Sequence, residues 1–428
     1  MEHSLAGKPI LAQYRSVLES GTKNRRTTVN PGIFHLIGIS LLSVGCVVAW
    51  RQGAFFTGGL DPVVVLKALM QSAALGWAWL VAKQYPVKFP LGIRSLNFLA
   101  LILLISVLGS FSSGNVMASV VIAVRVFMMA ITIVYVMRSF SAAQTLIALS
   151  WCLAVVGVLS SASGLALGGG TRLSGGIPPL SPNEIALLVG VPALVLLHEC
   201  LRARVHWWHV VMLLMLAGLL VLSESRTALI GAAAAAGIML LLVRRFPLQT
   251  VIIGLLGLPV LLYLALLTPA LQNVIFREDS ASLLTLNSRT ISWSVVLNYP
   301  LDSWERWVGS GLSMKTIEVD GQFWDEQVFD SSWISLLAQS GIIGTLVAFI
   351  WVLSCVVMAL KTAKLRTLFL PLLTFVLVRS FMENGLIDAG AMFLVFFILS
   401  LSLERPSIAQ SLDWQYAGSL KMRAGSLN

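Results

Sequence analysis

The run Ser223-Glu224-Ser225-Arg226-Thr227-Ala228 places an arginine where an apolar helix should begin. The turn before it is tight, and the small residues from Gly231 to Gly237 that follow allow neighbouring helices to approach closely. A helix start exposes unpaired backbone N–H groups and the positive end of the helix dipole, so a guanidinium there makes an anion site. Position alone also permits a plainer role, an arginine that snorkels to a membrane interface. Arg289 repeats the arrangement in Asn287-Ser288-Arg289-Thr290, with Ile291, Val295 and Val296 on an apolar side and a stop before Pro300. Taken alone, Arg289 reads as a solvated charge.

Three further places could do chemistry beside these two. Arg172 precedes Leu173-Ser174-Gly175-Gly176-Ile177-Pro178-Pro179, after which Ser181-Pro182-Asn183-Glu184 spells a capping box with proline in the first helical position. Arg379 and Glu383 are one helical turn apart and are expected to pair as ions. Asp330 stands just before Ser331-Ser332-Trp333, where it is either the cap of the next helix or a carboxylate able to take a proton from a hydroxyl. Zinc-protease, Walker and nucleophile-elbow motifs are absent from the sequence. Cys46, Cys152, Cys200 and Cys355 lie in or beside apolar runs with no CxxC pair, which argues against a disulfide framework or a zinc site.

The elements that must position these residues are membrane helices. The chain has 428 residues, 57% hydrophobic and 11% charged, against about 45–50% and about 25% in soluble domains. One water-surrounded core cannot hide that excess, so lipid must cover part of it. The fold expected is an all-α polytopic membrane protein with about 12 transmembrane helices. Spans are expected near 33–50, 63–82, 95–109, 116–137, 142–167, 184–198, 207–223, 226–243, 248–268, 333–358, 367–382 and 388–404, the third and sixth being short. The glycine-rich stretch after Ala166 suits a segment that dips back into the membrane. Lys67 and Arg125 fall inside spans, where a charge is costly and is expected to face the bundle interior.

Basic residues set the orientation. With the N-terminus inside, roughly nineteen Lys and Arg fall in inner segments and about eight outside. That bias places both termini in the cytoplasm and Arg172, Arg226, Arg289 and Arg379 on the outer face. All five histidines then fall at inner or membrane positions, so no outer histidine is available as a base. The net charge of +10 is spread over short loops, without the long basic run or Arg-rich helix of a nucleic-acid binder.

The expected organisation is a cytoplasmic tail over 1–32, nine spans over 33–268, an extracytoplasmic loop over 269–332, three spans over 333–404 and a cytoplasmic tail over 405–428. Leu11, Tyr14, Val17 and Leu18 recur at helical spacing, which fits a short surface helix as well as it fits a basic tail without structure. The 64-residue loop between spans nine and ten is expected to be partly helical. It carries Trp293, Trp304, Trp307, Phe323 and Trp324 among many acids. Aromatic faces with carboxylates suit sugar, and tryptophans also suit an amphipathic cap at the interface.

Three blocks together resemble the O-antigen ligase and O-antigen polymerase superfamily of bacterial envelope glycosyltransferases. They are Ser225-Arg226-Thr227-Ala228 at the start of a span; Ser288-Arg289-Thr290-Ile291-Ser292-Trp293 with Pro300 and Gly309-Ser310-Gly311; and the run from Asp330-Ser331-Ser332-Trp333 to Gly341-Ile342-Ile343-Gly344. Arg172 with Pro182-Asn183-Glu184 is a weaker fourth.

The resemblance implies sugar transfer from a polyprenyl (undecaprenyl) pyrophosphate carrier at the outer face of the bacterial cytoplasmic membrane, without metal or cofactor. Arg172, Arg226, Arg289 and Arg379, with Glu383 and Trp293, would bind substrate. Arg226, Arg289 and Asp330 would be catalytic, Asp330 as the base. The partners implied are the lipid-linked oligosaccharide, a saccharide or lipid-linked acceptor, membrane lipid and a polysaccharide export system. Ligases typically carry His-Asn-Ser where this chain has Asp330-Ser331-Ser332, and a carboxylate is a weaker base than imidazole at neutral pH. The departure favours a polymerase or another exopolysaccharide-joining enzyme over transfer to lipid A. The alternatives are a twelve-span transporter or flippase of lipid-linked sugars, which would be expected to show two related halves, and a noncatalytic scaffold.

Overall fold

Long runs of Leu, Val, Ile and Ala leave their backbone no partners in hydrocarbon except their own, so they form helices. A computed structural model describes residues 31–51, 61–84, 91–168, 172–202, 206–243, 289–318, 326–362 and 365–405. The first eight helices are α1 (Pro31–Val47), α2 (Pro62–Gln84), α3 (Arg94–Ser113), α4 (Val116–Ser139), α5 (Ala142–Ala166), α6 (Pro182–Arg202), α7 (Trp207–Leu222) and α8 (Arg226–Leu242). Then come α9 (Arg289–Leu297), α10 (Trp304–Val308), a two-stranded antiparallel ribbon of β1 (Thr316–Glu318) and β2 (Glu326–Val328), α11 (Ser332–Lys361), α12 (Arg366–Ser380) and α13 (Ala391–Leu403).

Among the described residues, six helices (α2 to α6 and α11) are long and apolar enough to cross a membrane. Helices α1, α7, α8 and α13 are apolar but shorter. Eleven of the twelve expected spans coincide with a described helix, and the ninth, 248–268, lies outside the described residues, as do the surface helix near Leu11 and the acids and aromatics of the loop from 319 to 325.

Several helix ends differ from the expected spans. The third and sixth spans are not short, since α3 has 20 residues and α6 has 21. Polar residues extend both helices because their groups are satisfied: the Glu404 carboxylate accepts from the Arg94 and Ser95 backbone N–H at the start of α3, and Ser110 and Ser112 bond back to Val107 and Gly109 carbonyls at its end. His198, in the last part of α6, bonds Thr367 Oγ1 at 3.2 Å. The twelfth span begins at Ala391, leaving Asp388 in the preceding loop.

Helices α6 and α13 form the centre. Every residue from Met392 to Leu403 is buried, including Ser400, whose hydroxyl accepts from Trp351 Nε1 at 2.7 Å. Around them α1 packs on α2 and α5, α2 on α4, α3 on α4 and α11, and α8 along α12. Arg125 is reconciled with its apolar setting by carbonyl and amide oxygens. Its Nη2 donates to Cys46 O at 2.6 Å, in the last turn of α1, and its Nε to Gln71 Oε1 at 3.3 Å. A cation at a helix C-terminus meets unpaired carbonyls and the negative end of the dipole.

Two segments of chain insert among the helices. Residues 173–180 fold back along α5, with Gly176 N donating to Ser160 O and Ser160 Oγ to Pro178 O. Ser160 lies six residues inside α5, about 9 Å down the helix. Residues 309–313 cross α11 at Gly341, whose φ of 61° and ψ of −168° break the helix. Gly309 and Gly341 leave no room for a Cβ, which would strike the Gln339–Ser340 and Trp307–Val308 backbones respectively. The break frees α11 carbonyls, and the crossing strap supplies donors: Ser310 N to Ala338 O at 2.8 Å and Gly311 N to Gln339 O at 3.0 Å. Ser113 Oγ to Ser310 O and Ser313 N to Ser119 Oγ fasten the other side of the strap to α3 and α4.

Candidate functional site

Helices α6, α8 and α11 begin, and α12 ends, at one end of the bundle. A Cβ on Gly231 of α8 would lie 3.3 Å from the Phe375 ring of α12. Arg226 is five residues nearer the start of α8, and Arg379 four residues nearer the end of α12. At 1.5 Å per residue the two arginines stand about 6–8 Å beyond that contact, on the same side.

Arg379 is 2% exposed and donates Nη2 to Asn183 O, in the first turn of α6, at 2.8 Å. The ion pair expected with Glu383 does not form, because the guanidinium turns to the α6 terminus instead. Glu383 and Glu184 remain within electrostatic reach. Arg379 Nε and Nη1 and Arg226 Nη2 are buried with no hydrogen-bond partner among the described residues. Buried N–H groups on a guanidinium are costly unless an acceptor meets them.

Arg172 joins this end through the turn before α8. Its Nη2 donates to Ser223 O at 3.3 Å and Glu224 O at 3.4 Å, while Leu173 N bonds Leu222 O. The capping box that starts α6 is present, with Glu184 N donating to Ser181 Oγ at 3.2 Å and Ser181 N to Glu184 Oε2 at 2.9 Å. It orients Glu184 as the first-turn acid the spacing predicts.

Asp330 is not the helix cap. The cap position of α11 falls on Ser331, leaving Asp330 one residue outside. Ser332 then ties that start to the end of α12, donating N and Oγ to Glu383 O at 3.1 and 2.7 Å, and Trp333 Nε1 donates to Ser380 Oγ at 3.1 Å. Asp330 thus shares a neighbourhood with Glu383.

Helix α9, which Arg289 opens, packs with Val296 on a small core of Ile317, Phe329 and Ala338, joined by Ile334 and Leu337. Ile334, Leu337 and Ala338 belong to the first turns of α11, so α9 packs against the end of α11 that lies beside Glu383. Trp293 Nε1, in α9, is buried without a partner among the described residues. Trp304 and Trp307 of α10 are 53% and 45% exposed.

One pair escaped the sequence reading because its partners are 73 residues apart. Lys315 Nζ meets Asp388 Oδ2 at 2.6 Å, and Phe329 N donates to Lys315 O, so the pair fastens the segment bearing Asp330 to the α12–α13 loop. Burial works against the Asp388 carboxylate, but the Lys315 ammonium, the Ala389 N–H and Arg125 outweigh it and hold its pKa below the ordinary value. A depressed acid contributes stability above the ordinary aspartate pKa and loses it as pH falls through the lower folded value. The tie should therefore hold unchanged from pH 8 to pH 5 and release only below about pH 4. Asp388→Asn should cost about 1.5–3 kcal/mol at pH 7, the worth of a charge-assisted hydrogen bond, read as a lower melting midpoint by tryptophan fluorescence in detergent, and the deficit should vanish in acid.

Four helix termini, the buried Arg379, the half-buried Arg226 and a nearby carboxylate lie at one end of an apolar helical bundle, that of an integral membrane protein. Residues 210–349 match the family model described as O-antigen ligase, which supports placing the chain in the O-antigen ligase and polymerase superfamily. The match takes in Arg226, Arg289, Trp293 and Asp330 and leaves Arg172, Arg379 and Glu383 outside it. No curated protein matches the chain.

Proposed function

We propose that the chain is a membrane glycosyltransferase that polymerises or ligates saccharides carried on polyprenyl pyrophosphate at the outer face of the cytoplasmic membrane. The observation that supports this reading is a pair of arginines at a common end of the bundle, the half-buried Arg226 and the buried Arg379, with Arg226 Nη2 and Arg379 Nε and Nη1 buried and lacking acceptors among the described residues. In the reaction the acceptor hydroxyl oxygen forms a bond to the anomeric carbon. The bond from that carbon to the diphosphate breaks, and the diphosphate leaves with the electron pair. Arg226 and Arg379, with Arg172 and Arg289, stabilise the charge that grows on it, in a setting of low dielectric where fixed cations act strongly. Asp330 takes the hydroxyl proton. Glu383 and Trp293 bind the saccharide, and metal is not required by this scheme because the arginines supply the positive charge.

Both termini are then cytoplasmic, about twelve spans cross the bilayer, and the segment 269–332 faces outward with an acceptor drawn from the export system. The test is incubation of the purified protein with a polyprenyl-pyrophosphate oligosaccharide, followed by sizing of the products. Longer saccharides with release of polyprenyl pyrophosphate are expected. Movement of labelled lipid-linked sugar across vesicles without any new glycosidic bond would replace this reading with a flippase.

A further inference from the structure

Helix α2 turns Gln71, Ala74, Ala78 and Val81 into the bundle and runs parallel to α4. Gln71 lies level with Arg125, its Nε2 donating to Arg125 O and its Oε1 accepting from Arg125 Nε. About three turns further along both helices, Lys83 and Arg138 come level. Below them Ala78 and Val81 share a small core with Val136 and Phe140.

Between the two helix ends opens a cavity of about 110 Å³, lined by Trp79, Ala82, Lys83, Tyr135 and Arg138. A single water needs only about 10–15 Å³. The walls carry two cations, two amphipathic rings and no carboxylate. The Lys83 ammonium rests on the face of Trp79, 3.6 Å from the ring centroid, which positions the charge and leaves N–H groups for an oxygen acceptor. Among the described residues neither Lys83 nor Arg138 makes a hydrogen bond or an ion pair.

This end of the bundle is remote from the arginine site. Arg405, just past the end of α13, donates Nη2 to Met137 O and to Phe140 O, the latter at 3.1 Å, on either side of Arg138 in the chain. Helix α13 follows the end of α12 that carries Arg379 and has 13 residues, about 20 Å of helix. The cavity also opens on an apolar path toward the middle of the bundle. On α2 the path passes the exposed Leu80 and then Gly76, where an added Cβ would meet nothing within 4 Å. On α4 it passes the exposed Phe127 and Val124. A free phosphate has no use for such a path, whereas an acyl chain does. Tryptophan and tyrosine settle at headgroup level, and basic pockets between membrane helices take anionic headgroups.

We propose that this cavity binds an anionic phospholipid, with its phosphate between Lys83 and Arg138 and an acyl chain running along Leu80 and Gly76. The site is independent of the sugar-transfer chemistry. In the orientation proposed above it faces the cytoplasmic leaflet.

The test is native mass spectrometry of the full-length protein in detergent with dioleoyl phosphatidylglycerol, dioleoyl phosphatidylcholine and inorganic phosphate as probes. It compares wild type, Lys83→Gln, Arg138→Gln, the double variant and Lys361→Gln. Lys361 is an exposed cation that ends α11 on the same side of the bundle and serves as the control. Melting midpoints establish that the variants are folded. Wild type should retain phosphatidylglycerol in preference to phosphatidylcholine. Lys83→Gln and Arg138→Gln should each weaken phosphatidylglycerol about fivefold, and the double variant about thirtyfold, the worth of one surface cation apiece. Phosphatidylcholine should be unaffected, and Lys361→Gln should bind as wild type does. Wild-type affinity for phosphatidylglycerol in the folded double variant would overturn the inference. Equal loss in Lys361→Gln would reduce the effect to diffuse surface attraction and overturn it as well. Displacement of the lipid by inorganic phosphate would assign the cavity to a free anion, with the same consequence. Sugar transfer at the arginine end stands or falls apart from these outcomes.

Discussion

Arg226→Ala should cut sugar transfer by on the order of 100- to 1,000-fold while the protein still inserts in the membrane. The size follows from where the guanidinium sits. Its Nη2 is buried without an acceptor among the described residues, at the first residue of α8, so the positive charge and the helix N-terminus bear on one point. An interaction gained mainly as charge accumulates on a leaving diphosphate lowers the barrier more than it tightens substrate binding, so kcat should fall more than KM rises. Arg289→Ala should behave alike if both arginines meet the same diphosphate. Lysine at position 226 should rescue only in part, because an ammonium cannot present two parallel N–H groups. Chain-length profiles from cells expressing each variant, beside quantification of the membrane-inserted protein, check the expectation. Normal profiles in both alanine variants would leave the arginines with a structural role only.

Gly341→Ala is the variant expected to damage the fold most. The φ of 61° with ψ of −168° lies in a region open almost solely to glycine. A Cβ there would also meet the Trp307 and Val308 backbone, which is held by its own contacts with α3 near Gly109. Strain of about 1–3 kcal/mol and overpacking of a further 1–3 kcal/mol would together remove much of an ordinary stability margin. The loss should appear as a large drop in melting midpoint in detergent and in the amount recovered from membranes. Gly309→Ala, which faces the same crossing from the strap, should act similarly. A wild-type midpoint for Gly341→Ala would mean that the crossing does not bear on stability.

Much of this architecture is legible in residue order because membrane helices are written locally. Apolar runs of helical length mark α1 to α8 and α11 to α13, and Ser181-Pro182-Asn183-Glu184 announces the start of α6 correctly, down to both hydrogen bonds of its box. Arg226 stands at a helix start, after the Ser225 cap, where the spacing places it. What sequence spacing misses is long-range pairing. Arg379 and Glu383 look like partners one turn apart, yet the guanidinium reaches across to Asn183 O, 196 residues away in the chain. Lys315 and Asp388 give no local sign of each other. The stripe of Gln71, Ala74, Ala78 and Val81 does point Lys67 inward, but which charges lie near it depends on how α2 and α4 are packed. The Gly309-Ser310-Gly311 and Gly341 positions stand out as a motif, and only the crossing in space explains why glycine is needed at both.

The strap of residues 309–313 precedes α11 in the chain and supplies the N–H groups that the broken helix lacks. Because polypeptides emerge N-terminus first, the donors are already made when the carbonyls of Ala338 and Gln339 leave the ribosome. Residues Ser113 and Ser119, which anchor the strap from the far side, are made earlier still. Vectorial synthesis therefore delivers each layer onto a surface that already exists, and the kinked helix need never rest in lipid with its backbone unsatisfied.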